Sequence, residues 1–408
     1  MRHDHESFKT RLFLISLLRT ILNLPIGFDE AVRNVMRRIK LEKREKRLMY
    51  ILAYQTVVNF YGLKRLAREM GFGADVKAVV NLLEKLGYDF ETYMEVVDEA
   101  TQNLPIKERL AWKYSYPMWV VEELIKHLSV GEVEETLRCL NEKKRYIRIN
   151  MVNTTVEEAL ECLEREGLRF QRHPKFEDVF RITDPFQPIG SSECFKKGYL
   201  IPEDISSYIL VESIMKYVGN TVLDSCSAPG VKLLHLLSRR KSLRGVAVDY
   251  SGERVLEAVK ILKKHVEQGR IILVNGDSRT LAYRNRFSTI IVDAPCSGSG
   301  AVYGDPSVKL RLDKRRVLKY SLIQLELVRN VLNQGENIVY ATCSILPIEG
   351  EMIVQQIYEK GRVELQELSD EHIDKAYPGF DVSYKTYRIY PHKVGGQGFF
   401  ISVLRGVR

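Results

Sequence analysis

Two of the six cysteines each follow a predicted buried strand. Cys296 lies in the run Asp-Ala-Pro-Cys-Ser-Gly at 293–298, and Cys343 lies in the run Thr-Cys-Ser at 342–344. Apolar residues precede both runs, as is typical of strands in the interior of a sheet. In doubly wound α/β folds, ligands bind just past the carboxyl ends of strands, so we expect both thiols to open into one cleft. Paired thiols in a cleft indicate covalent catalysis.

The elements that must position this cleft are predicted by a regular alternation in the second half of the chain. From Val222 onward, short apolar runs alternate with segments long enough to form helices. This rhythm predicts an α/β fold in which a parallel sheet is covered by helices on both faces. The apolar runs are 222–223, 245–248, 271–274, 289–292 and 338–340.

Two regions of different character precede the predicted sheet. The first 130 or so residues carry apolar positions at helical spacing, as in 8–24 and 76–86, and predict an all-helical domain. The region 145–183 predicts a small α+β unit, with a helix at 155–166 and strands at 146–150, 168–170 and 179–182. We therefore predict three domains: an all-helical domain at 1–130, a small α+β domain with its connection at 131–210, and a catalytic domain at 211–408.

A glycine-containing loop at 224–232 ends the first strand of the predicted sheet. Its small residues and Gly230 let the backbone approach a ligand at the start of the helix 233–237, where unpaired N–H groups favour an anionic or carboxylate group. Asp249 closes the second strand, where such folds place an acid for ribose hydroxyls. Asp277 closes the third strand, where it can receive an adenine amino group. Each acid alone is more often a cap or turn former, but together they predict a nucleoside-bearing cofactor.

Composition indicates a soluble cytoplasmic protein. The chain has 408 residues, of which 45% are hydrophobic, and it contains no uninterrupted apolar stretch of about eighteen residues that would span a membrane. Its first residues, Met1 to His5, do not resemble a signal peptide. We expect no membrane association.

The cysteines contain no C-x-x-C pair, so neither a zinc site nor a disulfide framework is expected, and we predict no metal. We expect most of them to be reduced. Cys139, Cys162 and Cys194 are predicted to be small buried packing residues, and Cys226 to pack beneath the loop at 224–232.

The charge of the chain indicates a polyanionic partner. Its formal net charge is +9. Within 33–47, eight basic residues face only Glu42 and Glu45, so we favour contact with phosphates over a merely solvated helix face. The basic residues are Arg33, Arg37, Arg38, Lys40, Lys43, Arg44, Lys46 and Arg47.

The loop at 224–232 and the two cysteine motifs, in this order, resemble the signature of the Sun-type RNA cytosine carbon-5 methyltransferases. The helical N-terminus is similar to the NusB-like domain of the branch that modifies small-subunit ribosomal RNA. Several residues depart from the family pattern, among them Val231, which stands where a glycine is usual, Glu203, which stands where a glutamine is common, and Gln397, which stands where an acid is frequent. Family counterparts also exist for 116–119, 148–150, 198–207, 390–392 and 398–400, and for Arg254.

The resemblance implies a Rossmann-like domain that uses S-adenosylmethionine to form 5-methylcytosine in RNA. In the family the Thr-Cys cysteine attacks carbon 6 of cytosine, which corresponds to Cys343, and the Pro-Cys cysteine assists release, which corresponds to Cys296. Asp293 is expected to hydrogen-bond the base, with Lys232 beside Asp293 and the cofactor. The implied cofactor-binding residues are Ser227, Ala228, Pro229, Gly230, Lys232, Asp249, Arg254, Asp277 and Asp293.

Several alternatives stay open on the residues alone. DNA cytosine methyltransferases use a Pro-Cys nucleophile, which would favour Cys296, but they need no Thr-Cys-Ser partner. Amino-group methyltransferases present Asp-Pro-Pro-Tyr, whereas this chain has Asp-Ala-Pro-Cys at 293–296. A non-catalytic RNA-binding scaffold is the alternative from another class. We expect a monomer that acts on ribosomal RNA, with transfer RNA as the second substrate candidate.

Overall fold

The structure, a computed structural model, describes residues 2–39 and 41–407, and the side chains of all of these except residues 2–6 and 43. The chain divides into two compact units. A helical unit comprises the chain up to Lys143 together with Ala301–Asp313, and a second unit comprises Lys144–Gly300 and Lys314–Arg408. No helix among the described residues is both long and apolar enough to cross a lipid bilayer.

The helical unit is built from amphipathic helices, as the apolar spacing predicts. In α1, Phe13, Leu14, Leu17, Leu18 and Ile21 recur at intervals of three and four residues and are fully buried. Its helices are α1 Arg2–Asn23, α2 Phe28–Met36, α3 Lys43–Val58, α4 Phe60–Glu69, α5 Val76–Lys85, α6 Phe90–Thr101, α7 Ile106–Lys113, α8 Met118–Ile125, α9 Val130–Asn141 and, from the later segment, α15 Ser307–Leu310. The predicted domain boundary at 130 therefore falls at the start of α9, inside this unit.

The later segment is anchored in the helical unit by a buried lysine. The side chain of Lys309 is fully buried, and its Nζ donates to Val58 O and Tyr114 O at 2.7 Å and to Asn141 Oδ1 at 2.9 Å. A buried ammonium group is costly unless its donors are satisfied, and here each of its three donors has an acceptor. Burial lowers the pKa of Lys309.

A small antiparallel sheet opens the second unit. Its strands are β1 Tyr146–Ile149, β2 Phe170–Arg172, β3 Val179–Ile182 and β4 Leu200–Pro202, in the order β2-β3-β1-β4, beside α10 Val156–Arg165 and α11 Glu193–Lys196. The strand predicted at 168–170 begins later than expected. The backbone N–H of Leu168 instead donates to Leu163 O, which closes the end of α10.

A disulfide joins Cys162 of α10 to Cys194 of α11. The prediction that these two cysteines are reduced packing residues is therefore wrong. The two cysteines are 32 residues apart, so they form no short motif in the sequence. Only the packing of α10 beside α11 brings their Cα atoms to 5.9 Å, a distance at which a disulfide can form. Cys139 and Cys226 form no disulfide within the described part of the chain; Cys139 is buried and Cys226 is partly buried.

The predicted parallel sheet forms the centre of the second unit. Five parallel strands lie in the order β7-β6-β5-β8-β9. An antiparallel extension, which the sequence did not predict, continues from β9 through β13, β12 and β11. Strand β10 also pairs with β13. The strands are β5 Thr221–Asp224, β6 Arg244–Asp249, β7 Ile271–Asn275, β8 Phe287–Asp293, β9 Gly335–Thr342, β10 Val363–Gln366, β11 Asp374–Lys375, β12 Tyr387–Ile389 and β13 Phe399–Gly406.

Both faces of this sheet are covered by helices, as predicted. Neighbouring strand residues point to opposite sides: Val222 packs into the core of one face and Leu223 into the core of the other. The helices α12 and α13 contribute to the first core, and α16 and α17 contribute to the second. The remaining helices are α12 Ile205–Ile214, α13 Val231–Arg239, α14 Gly252–Glu267, α16 Lys314–Val331, α17 Glu351–Tyr358 and α18 Pro391–Val394. The predicted domain boundary at 210 falls inside α12.

A buried ionic network links the small sheet to α13. The guanidinium Nε of Arg148 in β1 donates to Glu203 Oε2 at 2.6 Å, and His235 Nδ1 of α13 lies 3.3 Å from Glu203 Oε1. All three side chains are buried. Burial alone would raise the pKa of Glu203, but the charges of Arg148 and His235 outweigh it and lower the pKa to about 2.

We expect this network to make the protein acid-labile. Since the pKa of Glu203 in the folded state lies below its unfolded value, the carboxylate stabilises the fold above about pH 4.3 and loses that effect as the pH falls towards 2. The contribution is on the order of 3 kcal/mol. Urea unfolding from pH 7 to pH 3 should show a smaller pH dependence for Glu203→Gln than for the wild type. Equal pH dependence in the two proteins would refute this assignment.

Candidate active site

The two catalytic-cysteine candidates lie side by side. Cys296 follows β8 and Cys343 follows β9, and these neighbouring strands are parallel. Their carboxyl ends therefore meet at one edge of the sheet, where the two Sγ atoms lie 3.3 Å apart. A disulfide bond is about 2.05 Å long, so the thiols are in contact without being joined. Both side chains are partly exposed, which suits chemistry on an entering ligand.

A close backbone crossing holds the loops that carry the thiols. Gly300 N donates to Cys343 O at 3.0 Å, and Gly398 N donates to Gly300 O at 2.9 Å. A Cβ atom at Gly300 would lie 2.1 Å from Gly398 O. Only glycine allows the three segments to approach this closely.

An ion pair lies at the same edge of the sheet. Lys232 Nζ, from the first turn of α13, donates to Asp293 Oδ2 at 2.6 Å. The same Nζ lies 5.3 Å from the centroid of the Phe399 ring. Burial would lower the pKa of Lys232, but the charge of Asp293 outweighs it and raises the pKa, which keeps the ammonium group charged. The structure thus brings Lys232, Asp293, Cys296 and Cys343 to neighbouring strand and helix ends.

The loop at 224–232 lies between β5 and α13. Gly230 precedes α13 with a φ of 95°, in the left-handed region that favours glycine. A Cβ atom there would lie 2.9 Å from Leu262 Cδ1 of α14. Val231, which departs from the family pattern, is the first residue of α13 and packs against the core. Backbone N–H groups at this helix start are available to a ligand.

The end of β6 contacts this loop through Asp249. The buried carboxylate accepts hydrogen bonds from Ala228 N through Oδ2 and from Ser251 N through Oδ1, both at 3.0 Å. The guanidinium of Arg254 donates to Ala228 O and lies 3.6 Å from Asp249 Oδ2. These contacts bring together Ala228, Asp249 and Arg254, which are three of the residues expected to bind the cofactor.

Asp277 lies after the neighbouring strand β7, with its carboxylate engaged by another side chain. Both of its oxygens accept hydrogen bonds from the guanidinium of Arg279, at 2.7 to 3.2 Å. Asn275, at the end of β7, donates to Asp249 O at 2.9 Å, which ties the two strand ends together. The role of Asp277 towards an adenine amino group stays a prediction.

Two buried polar atoms in the loop fit a polar ligand. Asp224 Oδ1 and Ser227 Oγ are buried and have no hydrogen-bond partner among the described residues. Burial and the charge of Asp293 raise the pKa of Asp224 to about 7. Buried polar groups are usually satisfied, so these atoms are consistent with a ligand that carries donors and acceptors. The residues present therefore fit a nucleoside-bearing cofactor.

One buried acid at the site escaped the sequence analysis. Glu349 lies in a short turn after β9 and accepts hydrogen bonds from Ser297 and Ser344, the residues that directly follow the two cysteines. The signal available in the sequence was a carboxylate directly after the apolar residues of 345–348, six positions after Cys343. Such a carboxylate is buried only when it has partners.

We expect Asp249→Ala to weaken binding of S-adenosylmethionine by roughly 10-fold to 150-fold. This corresponds to about 1.5 to 3 kcal/mol for a hydrogen bond to a charged group. The carboxylate also holds Ala228 N, so Asp249→Asn, which keeps one oxygen acceptor, serves as the matched variant and should lose less affinity. Calorimetry measures both. Wild-type affinity in Asp249→Ala would place the nucleoside elsewhere.

The basic run of the helical unit is exposed wherever its side chains are described. Arg33 lies in α2, and Arg37 and Arg38 follow that helix. Arg44, Lys46 and Arg47 lie in the first turns of α3, where Glu45 is 3.8 Å from Lys9. Lys40 and the side chain of Lys43 lie outside the described residues. The exposed members of the run remain candidates for phosphate contact.

Comparison with known proteins agrees with this architecture. Residues 214–405 match the family model described as 16S rRNA methyltransferase RsmB/F. Residues 116–189 match the model described as a ferredoxin-like domain of RsmF/B-like methyltransferases. The two matches cover the catalytic sheet and most of the small sheet.

Curated ribosomal RNA methyltransferases are also similar to this chain in sequence. Ribosomal RNA small subunit methyltransferase B of Erwinia tasmaniensis is 26% identical over 72% of this chain, and that of Cronobacter sakazakii is 28% identical over 58%. The matches span only 66% and 56% of those relatives' own lengths.

Among solved structures, PH0851 has a TM-score of 0.79 at 20% identity and covers 97% of this chain and 98% of its own. NSun6 from Pyrococcus horikoshii, solved with SFG, has a TM-score of 0.61 at 20% identity over 70% of this chain and 97% of its own. These likenesses show a shared fold. With the two family models in sequence along it, the chain belongs to the RsmB/F methyltransferase family.

Proposed function

We propose that the protein is an S-adenosylmethionine-dependent RNA methyltransferase that forms 5-methylcytosine. The observation that carries this proposal is the pair of thiols 3.3 Å apart at the ends of β8 and β9, beside the ion pair of Lys232 and Asp293. Two adjacent thiols supply both a nucleophile and a second group for release.

Cys343 is the nucleophile in this mechanism. Carbon 5 of cytosine is a poor nucleophile until its conjugation is broken. The Cys343 thiolate adds its electron pair to carbon 6, a carbon–sulfur bond forms, and the electrons of the 5,6 double bond become available at carbon 5. S-adenosylmethionine, when bound, supplies the electrophilic methyl group on a sulfonium that carbon 5 then takes.

Cys296 acts in the release of the product. After methyl transfer, carbon 5 still carries its proton, and carbon 6 is still bonded to sulfur. Once the charge of Cys343 has been consumed in its bond to carbon 6, the Cys296 thiol releases its own proton to water, and its thiolate accepts the proton from carbon 5. The electrons of that carbon–hydrogen bond re-form the 5,6 double bond, and Cys343 leaves as a thiolate. Since carbons 5 and 6 are bonded neighbours, the two sulfurs must also be neighbours, which fits their separation of 3.3 Å.

Asp293 and Lys232 orient the base and the methyl donor. The Asp293 carboxylate accepts a hydrogen bond from the exocyclic amino group of cytosine, while Lys232 holds that carboxylate in place. Lys232 also lies in the first turn of α13, close in sequence to Ser227, Ala228, Pro229 and Gly230, the loop residues assigned to the cofactor. The target cytosine must leave its stack to reach these groups.

The proposed substrate is ribosomal RNA, with transfer RNA as the second candidate. The curated relatives carry a name that refers to small-subunit ribosomal RNA, and the basic run of the helical unit supplies cations for a phosphate backbone. We further propose that the protein works in the cytoplasm and as a monomer.

The basic run gives a test of RNA binding. Replacing Arg37, Arg38 and Arg44 with Gln should weaken RNA binding and reduce the salt dependence of its affinity by roughly one unit of slope for each phosphate that is no longer neutralised. Binding of S-adenosylmethionine should not change. Filter binding across a salt series measures the slope. An unchanged slope in the triple variant would exclude these arginines from the RNA interface.

Bisulfite sequencing of total RNA tests the proposed reaction and its substrate together. RNA from cells with the gene, without it, and with a Cys343→Ala copy should differ at one or a few cytosines in small-subunit ribosomal RNA. A change confined to transfer RNA would select the second substrate. If the methylation profiles of all three strains are identical and the purified protein is inactive on ribosomal RNA and transfer RNA, the non-catalytic RNA-binding scaffold is the remaining alternative.

A further inference from the structure

The two cysteine loops share a buried carboxylate beneath them. Glu349 is fully buried. Its Oε1 accepts from Ser297 N at 2.7 Å, and its Oε2 accepts from Ser297 Oγ at 2.5 Å and from Ser344 Oγ at 2.7 Å. Ser297 follows Cys296, and Ser344 follows Cys343. One side chain therefore fastens both loops immediately beside the thiols.

The hydrogen bonds around Glu349 favour its ionised form. Ser297 Oγ already accepts from Ser299 N, and Ser344 Oγ already accepts from Leu346 N, so both hydroxyls are free to donate to the carboxylate. Gln324 Nε2 adds a fourth, longer contact at 3.4 Å. Charge-assisted bonds of this kind are stronger than neutral ones. Burial raises the pKa of Glu349 above its ordinary value, and these donors limit the rise.

The charge of this carboxylate is not neutralised by a neighbouring cation. The other buried acid of the region, Glu351, is paired with Arg388 at 2.6 Å, and Asp293 is paired with Lys232. Tyr340 faces Glu349 from β9, where its hydroxyl donates to Glu349 O at 2.7 Å. Among the described residues, no lysine, arginine or histidine nitrogen lies within ion-pair distance of Glu349.

We propose that Glu349 is a positioning residue, which fixes the two thiols in contact and whose negative charge disfavours a thiolate at Cys296. The ionised sulfur of the pair is then Cys343. This assigns the nucleophile by charge as well as by motif, and it keeps the Cys296 thiol protonated during attack. The importance of Glu349 for catalysis rests on the proposed function. Its effect on the position and ionisation of the two thiols does not.

The electrostatics of the thiol pair agree with this assignment. Contact with Cys343, burial and the charge of Glu349 all raise the pKa of Cys296.

Alkylation of the thiols across a pH series tests the proposal without RNA or S-adenosylmethionine. Iodoacetamide reacts with thiolates, and mass spectrometry resolves the peptides of Cys296 and Cys343. In the wild type, Cys343 should be alkylated at a lower pH than Cys296. In Glu349→Gln, the midpoint for Cys296 should move down by about one pH unit or more, because a buried negative charge has been removed.

The matched control is Glu336→Gln, which removes an exposed carboxylate from the same strand as the Cys343 motif and should leave both midpoints unchanged. A Cys296 midpoint that stays at the wild-type pH in Glu349→Gln would overturn the proposal and leave Glu349 a purely structural residue.

A second variant applies if Glu349→Gln does not fold. Ser344→Ala removes one hydrogen-bond donor to the Glu349 carboxylate, so the negative charge of that carboxylate is less compensated. The pH midpoint for alkylation of Cys296 should therefore rise. An unchanged or lowered pH midpoint for Cys296 would overturn the proposed role of Glu349. Failure of the proposed function appears separately, as the absence of methylation by a wild-type protein whose thiols still titrate as expected.

Discussion

We expect Cys343→Ala to abolish methylation and every covalent complex with RNA. In the proposed mechanism, Cys343 is the group that adds to carbon 6, and Cys296 acts only in release of the product. Removing the nucleophile of a covalent enzyme lowers turnover by several orders of magnitude, and we expect a decrease on the order of 10⁴-fold or more. Transfer of a labelled methyl group from S-adenosylmethionine to RNA measures the decrease.

Two controls separate this chemical effect from damage to the fold. Binding of S-adenosylmethionine to Cys343→Ala should match the wild type, because the cofactor residues lie on the loop at 224–232 and at the ends of β6 and β7. Cys139→Ala, which alters a buried cysteine of the helical unit, should keep its activity. Substantial methylation by Cys343→Ala would refute its assignment as the nucleophile.

We expect Cys296→Ala to accumulate a complex of protein and RNA that survives denaturant. Attack by Cys343 and methyl transfer do not require the Cys296 sulfur, but removal of the proton at carbon 5 does. The adduct therefore forms and is released only slowly. A denaturing gel of the variant with RNA and S-adenosylmethionine should show a slow-migrating band, whereas wild-type protein should show little of it.

The double variant Cys296→Ala with Cys343→Ala is the matched control and should form no such band. If instead Cys343→Ala forms the stable complex and Cys296→Ala does not, the two roles are reversed. The arrangement would then be that of the DNA cytosine methyltransferases.

The catalytic edge of the sheet was predictable because its determinants are local. Apolar runs, the glycine at 230 and the residues that follow each strand all lie close together in the sequence. In a parallel sheet, the carboxyl ends of adjacent strands meet at one edge, so the contact between Cys296 and Cys343 followed from strand ends alone. The all-helical start and both covered faces of the sheet followed from periodicity.

The features that escaped prediction depend on contacts between distant residues. The disulfide of Cys162 and Cys194 requires α10 and α11 to pack together. Glu349 resembles any acid near a turn until Ser297 is placed against it, 52 residues away in sequence. The segment Ala301–Asp313 carries no sign of its membership in the helical unit, because a buried lysine such as Lys309 has the sequence character of a surface residue.

Trapping the bond between cysteine and cytosine in the wild-type protein identifies the nucleophile. In RNA that contains 5-azacytidine, position 5 is a nitrogen without a proton to remove, so the adduct persists after attack. Digestion and mass spectrometry then identify the modified cysteine. We expect the nucleotide on the peptide that contains Cys343; a nucleotide on the peptide that contains Cys296 would show that Cys343 does not form this bond.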